Sequence, residues 1–289
     1  MHQLTLTDGR LLAFDDVGHR DGFPVVYLPG LGDSRLARHP DDTLAQRAGL
    51  RLLCLDRPGY GESTPQPQRT TADTARDTEQ LADHLGIPVF GVLGWSLGGL
   101  HALAVAYHLR DRVSHVVIVD SLGLVDEPGG LSQLHWTGSL PQRLRRLPPL
   151  QRAWFALLAR QVQGNVDAHL DGMAKACAEP DQEILTDPIY RRMLAAEKTE
   201  AWKNGPEGTL TDYNTASPLG FDPGDVTQPV AVFHGAQDTI VAADAGRTLA
   251  RRLPSGEFHS LDPGGHLCFL TYWAELLDTL AGKTDTATT

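Results

Sequence analysis

The 289-residue sequence contains few cysteines, no excess of basic residues and no long apolar run. Its three cysteines, Cys54, Cys177 and Cys268, are odd in number and widely spaced, which argues against a disulfide framework and against zinc-finger spacing. No apolar run approaches the length of a transmembrane helix, and the first residues lack the basic and apolar regions of a secretory signal. These absences favour a protein of the reducing cytoplasm with no membrane partner.

Acidic residues outnumber basic ones by 36 to 25, which gives a formal net charge of -11. Because a phosphate backbone attracts clusters of Lys and Arg, this balance argues against a nucleic-acid partner. The one arginine cluster, at positions 143, 145 and 146, is interpreted as part of a solvated helix face. With 41% apolar residues the chain can bury a sizeable core, and its length suits one α/β domain that carries an insertion.

Residues 1–121 alternate between strand-like and helix-like patterns. This alternation predicts an α/β fold with a mostly parallel central sheet and helices on both of its faces. An N-terminal hairpin is predicted around the turn pair Asp8-Gly9. Further strands are predicted at 24–28, 50–55, 89–93, 113–119, 229–233 and 257–261, and helices at 71–85, 97–109, 243–253 and 267–280.

The segment 122–225 differs from the rest of the chain because it has helical patterns separated by proline and glycine, without strand-like runs. We interpret it as a helical lid inserted into an α/β core formed by residues 1–121 and 226–282. The polar tail 283–289 is expected to be disordered. Within the lid, helices are predicted at 150–162, 166–178 and 188–203, with boundaries at the prolines in positions 141, 148, 149, 180, 188, 206 and 218.

The pentapeptide Gly94-Trp95-Ser96-Leu97-Gly98 carries the clearest functional signal, because it matches G-x-S-x-G between a predicted strand and a predicted helix. The glycines on both sides permit a tight turn that exposes the serine hydroxyl. A hydroxyl is a weak nucleophile at neutral pH, so Ser96 needs a base within hydrogen-bond reach and an acid that orients the base. We therefore predict that Ser96 is a catalytic nucleophile.

Two residues beyond the lid are the candidates for that base and that acid. His266 follows the glycine pair of Pro263-Gly264-Gly265, which allows the loop to approach the serine turn closely. Asp238 follows the predicted strand 229–233. The order Ser, Asp, His is expected when all three residues lie on loops at the carboxyl edge of one sheet. We predict that Asp238 and His266 complete a catalytic triad with Ser96.

Other residues compete for these roles. His234 ends a strand ahead of a turn, where a hydrogen bond to the backbone is expected instead. Asp120 ends the strand 113–119 at the same edge of the sheet, but Asp238 is preferred because it precedes His266 by one loop-helix-strand unit. His234, Asp238 and His266 are suitable metal ligands by type, yet their spacing matches no standard zinc signature. We therefore predict no metal and no cofactor.

Acyl transfer also requires N–H donors that face the oxygen which becomes negative in the tetrahedral intermediate. The backbone N–H of Leu97, directly after the nucleophile, is one predicted donor. The second is predicted to be Leu31, in the loop Pro29-Gly30-Leu31-Gly32 that follows the strand 24–28. Neither residue is a proline, so both N–H groups exist.

With these features in this order, the chain resembles the α/β-hydrolase family. The run Asp56-Arg57-Pro58-Gly59-Tyr60-Gly61-Glu62-Ser63 is similar to the family's D-x-x-G-x-G-x-S segment, and Gly235-Ala236-Gln237-Asp238 to its G-x-x-D acid motif. The likeness covers the chain except for the lid and the tail. One departure is that Pro29-Gly30 stands where many members have His-Gly. Because the donor is a backbone group, we expect the oxyanion hole to remain, with altered packing of the loop.

The resemblance implies a covalent mechanism in which Ser96 attacks a carbonyl carbon, His266 takes the proton and water releases the acyl group. A serine nucleophile argues against the epoxide-hydrolase and dehalogenase branches, which need a carboxylate at this position. We expect a serine hydrolase that cleaves a carboxylic ester or lactone of a small, largely apolar molecule. The alternatives are an acyltransferase or other biosynthetic acyl-transfer enzyme, an amide or aminopeptidase-type hydrolase, and a non-catalytic ligand-binding protein on the same scaffold.

The lid is expected to select the substrate, and the sequence makes no prediction of the oligomeric state. Seven residues of the lid are candidates to line an apolar pocket. They are His135, Trp136, Trp154, Phe155, Met173, Trp202 and Tyr213.

Overall fold

The computed structural model describes residues 1–215 and 217–282, and its centre is an eight-stranded sheet in the order β1-β2-β4-β3-β5-β6-β7-β8. Strand β2 pairs antiparallel with β1 and with β4, and the remaining pairs are parallel. The predicted mostly parallel sheet is therefore confirmed. The strands are β1 (His2–Thr5), β2 (Leu11–Gly18), β3 (Phe23–Leu28), β4 (Leu50–Leu55), β5 (Phe90–Trp95), β6 (Val113–Val119), β7 (Val230–Gly235) and β8 (Gly256–Leu261).

Helices cover both faces of this sheet, because the central strands are apolar on both sides. In β3, Val25 and Tyr27 belong to one buried apolar cluster, and Val26 and Leu28 belong to the other. This alternation follows from the two-residue period of a strand. The cluster with Val25 and Tyr27 also contains residues of α1 (Thr43–Ala48), α11 (Cys268–Thr271) and α12 (Trp273–Leu280). The cluster with Val26 and Leu28 also contains residues of α2 (Thr71–His84), α3 (Leu97–His108) and α10 (Ala243–Arg252).

Among the described residues, six α-helices lie between β6 and β7, and this part of the chain is called the helical segment (residues 122–225) below. The helices are α4 (Trp136–Arg143), α5 (Pro148–Gly164), α6 (Val166–Ala174), α7 (Glu179–Thr186), α8 (Pro188–Trp202) and α9 (Glu207–Thr215). No named strand occurs there among the described residues. The division of the chain into a core and a lid stays a prediction, and the tail 283–289 lies outside the described residues.

Some predicted element boundaries are wrong. The last predicted helix, 267–280, is two helices that are separated at Tyr272. Helix α6 ends at Ala174 instead of residue 178, because the chain turns there to begin α7. Pro141 lies inside α4, whereas Pro148 and Pro188 open α5 and α8. A proline at the first position of a helix loses no internal hydrogen bond, which explains why α5 and α8 can begin at Pro148 and Pro188.

The topology brings several loops to one edge of the sheet. Residues after the carboxyl ends of parallel strands lie at the same edge, so Leu31 after β3, Ser96 after β5, Asp120 after β6, Asp238 after β7 and His266 after β8 can meet there. Among the described residues, no helix has the length and apolar character needed to cross a membrane.

Candidate active site

Ser96 lies on a strained turn between β5 and α3. Its backbone has φ 53° and ψ -122°, a region that non-glycine residues rarely adopt. Such strain costs about 1 to 3 kcal/mol, which the surrounding structure must supply. A Cβ atom at Gly94 would come within 2.5 Å of the Gly98 carbonyl oxygen, and one at Gly98 within 2.0 Å of the Leu28 carbonyl oxygen. The two glycines are therefore required for this turn, and Ser96 is left partly exposed.

The structure brings Ser96, His266 and Asp238 together. The Ser96 hydroxyl is 3.1 Å from Nε2 of His266, and Nδ1 of His266 is 2.8 Å from Oδ2 of Asp238. Oδ1 of Asp238 accepts the backbone N–H groups of Ile240 at 2.8 Å and Val241 at 3.0 Å. The carboxylate is thus held on one side by its own loop, and its other oxygen faces the imidazole.

The charges at this contact favour an ionised acid beside a basic imidazole. Burial raises the pKa of Asp238, but His266 and His234 outweigh this effect and hold the pKa well below its usual range. Burial lowers the pKa of His266, but the Asp238 carboxylate outweighs it and raises the pKa to about 9. A carboxylate at this position stabilises the protonated form of the imidazole.

The two competing residues have other partners. Nε2 of His234 donates to the carbonyl oxygen of Val241 at 2.9 Å, which is the predicted backbone role. Asp120 accepts the N–H of Gly235 at 2.8 Å and the thiol of Cys268 at 3.1 Å. Burial raises the pKa of Asp120 to about 7. The geometry thus places Asp238, and not Asp120, in hydrogen-bond contact with the imidazole.

One buried group in the described part of the chain has the arrangement of a metal site. Ligand atoms of Asp120, His234 and Asp238 lie within 4.8 Å of one another. Protein hydrogen bonds already engage all three side chains, with Gly235, Val241 and the loop after Asp238 as partners. These contacts account for the cluster as part of the network that supports the acid.

The predicted oxyanion donors line the same cavity as the serine. Leu31 and Leu97 are both part of its wall, together with Ser96 and His266. Neither backbone N–H has a hydrogen-bond partner within the described ranges. For Leu97 this follows from its position, because the first N–H groups of a helix lack an internal acceptor.

The loop that carries Leu31 is held by residues that the sequence reasoning did not identify as functional. Arg57 donates to the carbonyl oxygens of Pro29 and Gly30, the latter at 2.6 Å. Asp212 of α9 pairs with Arg57 at 2.6 Å, and both side chains are buried. The loop without the usual histidine is therefore oriented through its carbonyl groups. Arg57 lies in a motif that the sequence displayed, whereas nothing in the sequence around Asp212 indicated a role.

A cavity of about 520 Å³ opens beside Ser96, and the helical segment forms most of its wall. Six of the seven candidate residues line it, and the seventh, His135, instead uses Nδ1 to contact Thr137. The cavity also contains a polar pair, in which Lys198 contacts Asp33. The six lining residues are Trp136, Trp154, Phe155, Met173, Trp202 and Tyr213.

Comparisons with known proteins agree with this architecture. Residues 24–271 match the model of the alpha/beta hydrolase fold. The chain belongs to the α/β-hydrolase family. This α/β hydrolase is 30% identical over 273 residues to the pimeloyl-[acyl-carrier protein] methyl ester esterase of Chromobacterium violaceum. The aligned region covers 92% of this chain and 95% of that relative.

Two further similarities concern a longer relative and a solved structure. The dihydrolipoyllysine-residue acetyltransferase component of the acetoin cleaving system of Pseudomonas putida is 36% identical over 265 residues, which cover 90% of this α/β hydrolase and 62% of that protein. A thermophilic esterase from Thermogutta terrifontis superimposes with a TM-score of 0.70 at 22% identity, covering 98% of this chain and 97% of that one. At this identity the structural likeness establishes the fold alone.

Proposed function

We propose that this α/β hydrolase is a serine hydrolase that cleaves a carboxylic ester or lactone through an acyl-enzyme intermediate. The observation that carries the proposal is the line of contacts from Ser96 Oγ to His266 Nε2, at 3.1 Å, and from His266 Nδ1 to Asp238, at 2.8 Å. Along this line the imidazole takes the hydroxyl proton as Oγ attacks the carbonyl carbon. The imidazolium then protonates the leaving alkoxide, and the neutral imidazole activates the water that hydrolyses the acyl-enzyme.

The backbone N–H groups of Leu31 and Leu97 stabilise the negative oxygen of the tetrahedral intermediate. Neither N–H has another partner in the part of the chain that the structure describes, and both residues line the cavity that contains Ser96. A donor of this kind contributes about 3 kcal/mol to the transition state. Because their positions are set by the backbone, no rearrangement is needed when the charge develops.

The cavity supports a small, largely apolar substrate. Its volume of about 520 Å³ and its wall of aromatic and aliphatic side chains suit an acyl or alcohol group of modest size. The relative from Chromobacterium violaceum bears the name of a methyl ester esterase, which supports an ester as the cleaved bond.

The test compares the native enzyme with Ser96→Ala on short p-nitrophenyl esters and on a panel of lactones. We expect kcat/KM to fall by at least about a thousandfold in the variant. Ser121→Ala is the matched control, because Ser121 also follows a neighbouring strand, but it is buried and its hydroxyl donates to the Leu122 carbonyl at 3.2 Å. We expect this control to retain activity.

Mass spectrometry after treatment with a fluorophosphonate probe provides an independent readout. The native protein is expected to gain one probe on Ser96, and Ser96→Ala none. Turnover that persists in Ser96→Ala would contradict the assignment of the nucleophile. Products that contain an added alcohol or amine acceptor would indicate an acyltransferase, and saturable ligand binding without an acyl-enzyme would indicate a binding protein.

A further inference from the structure

The loop that carries His266 is bonded to the helical segment through one carboxylate. Oδ2 of Asp181 accepts the backbone N–H of His266 at 2.8 Å, and Oδ1 accepts that of Leu267 at 2.8 Å. Asp181 lies in α7 and is fully buried. The two N–H groups lie outside helices and strands, and they have no other partner among the described residues. Without Asp181, each would be an unpaired buried donor, which is unfavourable.

Gly265 makes this close contact possible. A Cβ atom at Gly265 would lie 2.3 to 2.4 Å from the carboxylate atoms of Asp181, so a larger residue would displace the carboxylate. Asp181 and His266 are 85 positions apart in the chain, and they meet where α7 contacts the loop that follows β8. The glycine before the histidine therefore has a partner in the helical segment.

The same part of the helical segment also contacts the loop of the acid. The hydroxyl of Thr239, which follows Asp238, donates to the carbonyl oxygen of Ala176 at 2.8 Å. Ala176 lies between α6 and α7, five positions before Asp181. The chain from Ala176 to Asp181 thus bonds to both loops that supply the imidazole and its carboxylate.

We propose that Asp181 is a positioning residue of the hydrolase, whose carboxylate holds the backbone at His266 so that the imidazole lies between Ser96 and Asp238. The proposal rests on the function proposed above. Two hydrogen bonds to successive peptide N–H groups restrict rotation of both peptide planes, and the direction of the His266 side chain follows from them. The helical segment therefore orients the base as well as enclosing the cavity.

Asp181 also contributes to the electrostatic environment of the base. The carboxylates that face His266 are Asp238 after β7, Asp120 after β6 and Asp181 from α7, and each raises the pKa of the imidazole. Replacing Asp181 with a neutral residue therefore lowers that pKa. The ionisable groups that face Asp181 itself are His266, Asp238, Cys177 and Cys268.

The test is Asp181→Asn, which keeps the size of the side chain but places an amide N–H against one of the two backbone N–H groups. We expect kcat on the ester that the native enzyme cleaves to fall about tenfold, with KM within about twofold, because misalignment of the base affects the chemical step. A neutral imidazole is the active form, so the acid limb of the pH profile is expected to move to lower pH.

Asp187→Asn is the matched control. Asp187 belongs to the same helical segment and also accepts two backbone N–H groups, those of Ile189 at 2.8 Å and Tyr190 at 3.1 Å, but it caps α8. We expect this variant to leave kcat and the pH profile unchanged. Equal effects of the two substitutions, or an unchanged kcat in Asp181→Asn, would overturn the proposal.

Hydrogen exchange of the native protein tests the contact without any substitution. The amides of His266 and Leu267 are expected to exchange slowly although they lie in a loop, and exchange at the rate of an exposed loop would overturn the proposal. This result is independent of catalysis. If Ser96→Ala retained native turnover, the proposed function would fail, whereas loss of activity in Ser96→Ala together with native kinetics in Asp181→Asn would reject only the positioning role.

Discussion

Replacing Asp238 with asparagine perturbs the predicted triad at a single atom. The two backbone N–H groups at Ile240 and Val241 hold Oδ1, so they also retain the oxygen of the asparagine amide. The amide nitrogen then occupies the position of Oδ2, which is 2.8 Å from Nδ1 of His266. It donates to Nδ1, and the imidazole proton moves to Nε2. Because Nε2 is the atom that must accept the Ser96 proton, the base is held in the wrong tautomer.

The loss of charge adds to the tautomer effect. The pKa of His266 is raised from 6.5 to about 9, mainly because the Asp238 carboxylate outweighs the opposing effect of burial. This rise corresponds to about 3 kcal/mol in favour of the imidazolium. Removing it costs about a hundredfold in rate, and with the tautomer change we expect kcat to fall by about 10³ to 10⁴.

The assay is the dependence of kcat/KM on pH with a p-nitrophenyl ester. The neutral imidazole is the active base, so native activity is expected to increase as pH rises through the raised pKa of His266. In Asp238→Asn the pKa is no longer raised by the carboxylate, and the midpoint of the acid limb is expected to move to lower pH.

Asp120→Asn is the matched control variant. Asp120 is buried at the same edge of the sheet, but its hydrogen bonds go to Gly235 and Cys268. We expect its kcat to remain within about tenfold of the native value. Asp238 is not the orienting acid if Asp238→Asn keeps more than about a tenth of the native kcat, or if Asp120→Asn loses more activity than Asp238→Asn.

Two further predictions concern stability. Asp212→Asn leaves Arg57 and Arg69 without their buried carboxylate partner, and we expect the free energy of unfolding in urea to fall by about 3 to 5 kcal/mol. An unchanged midpoint would contradict that estimate. Gly98→Ala forces a Cβ atom against the Leu28 carbonyl, whereas Gly164→Ala meets nothing within 4 Å. We expect only the first alanine to lower the midpoint, and equal midpoints would show that the serine turn can relax.

Local patterns in the sequence predicted most of the sheet, because a strand that is buried on both faces must be apolar along its length. Strands β4 and β6 begin and end at the predicted residues. The spacing of apolar residues also predicted α2, α3 and α10, each with a last residue one position from the predicted one, but it did not predict α1. The less regular helical segment was harder to predict, and helices α4, α7 and α9 were not expected as separate elements.

The α/β fold, the serine turn and the candidate residues Ser96, Asp238 and His266 were predictable from the amino-acid sequence, because they depend on short motifs and on their order along the chain. The contact of the imidazole with Asp238, and not with Asp120, became visible only in the folded chain. The structure also revealed that Asp181 bonds to the backbone at His266, and that Asp212 pairs with Arg57, which donates to the loop of Leu31. Their roles depend on contacts across 85 and 155 positions, and such contacts form only when the helical segment packs on the sheet edge.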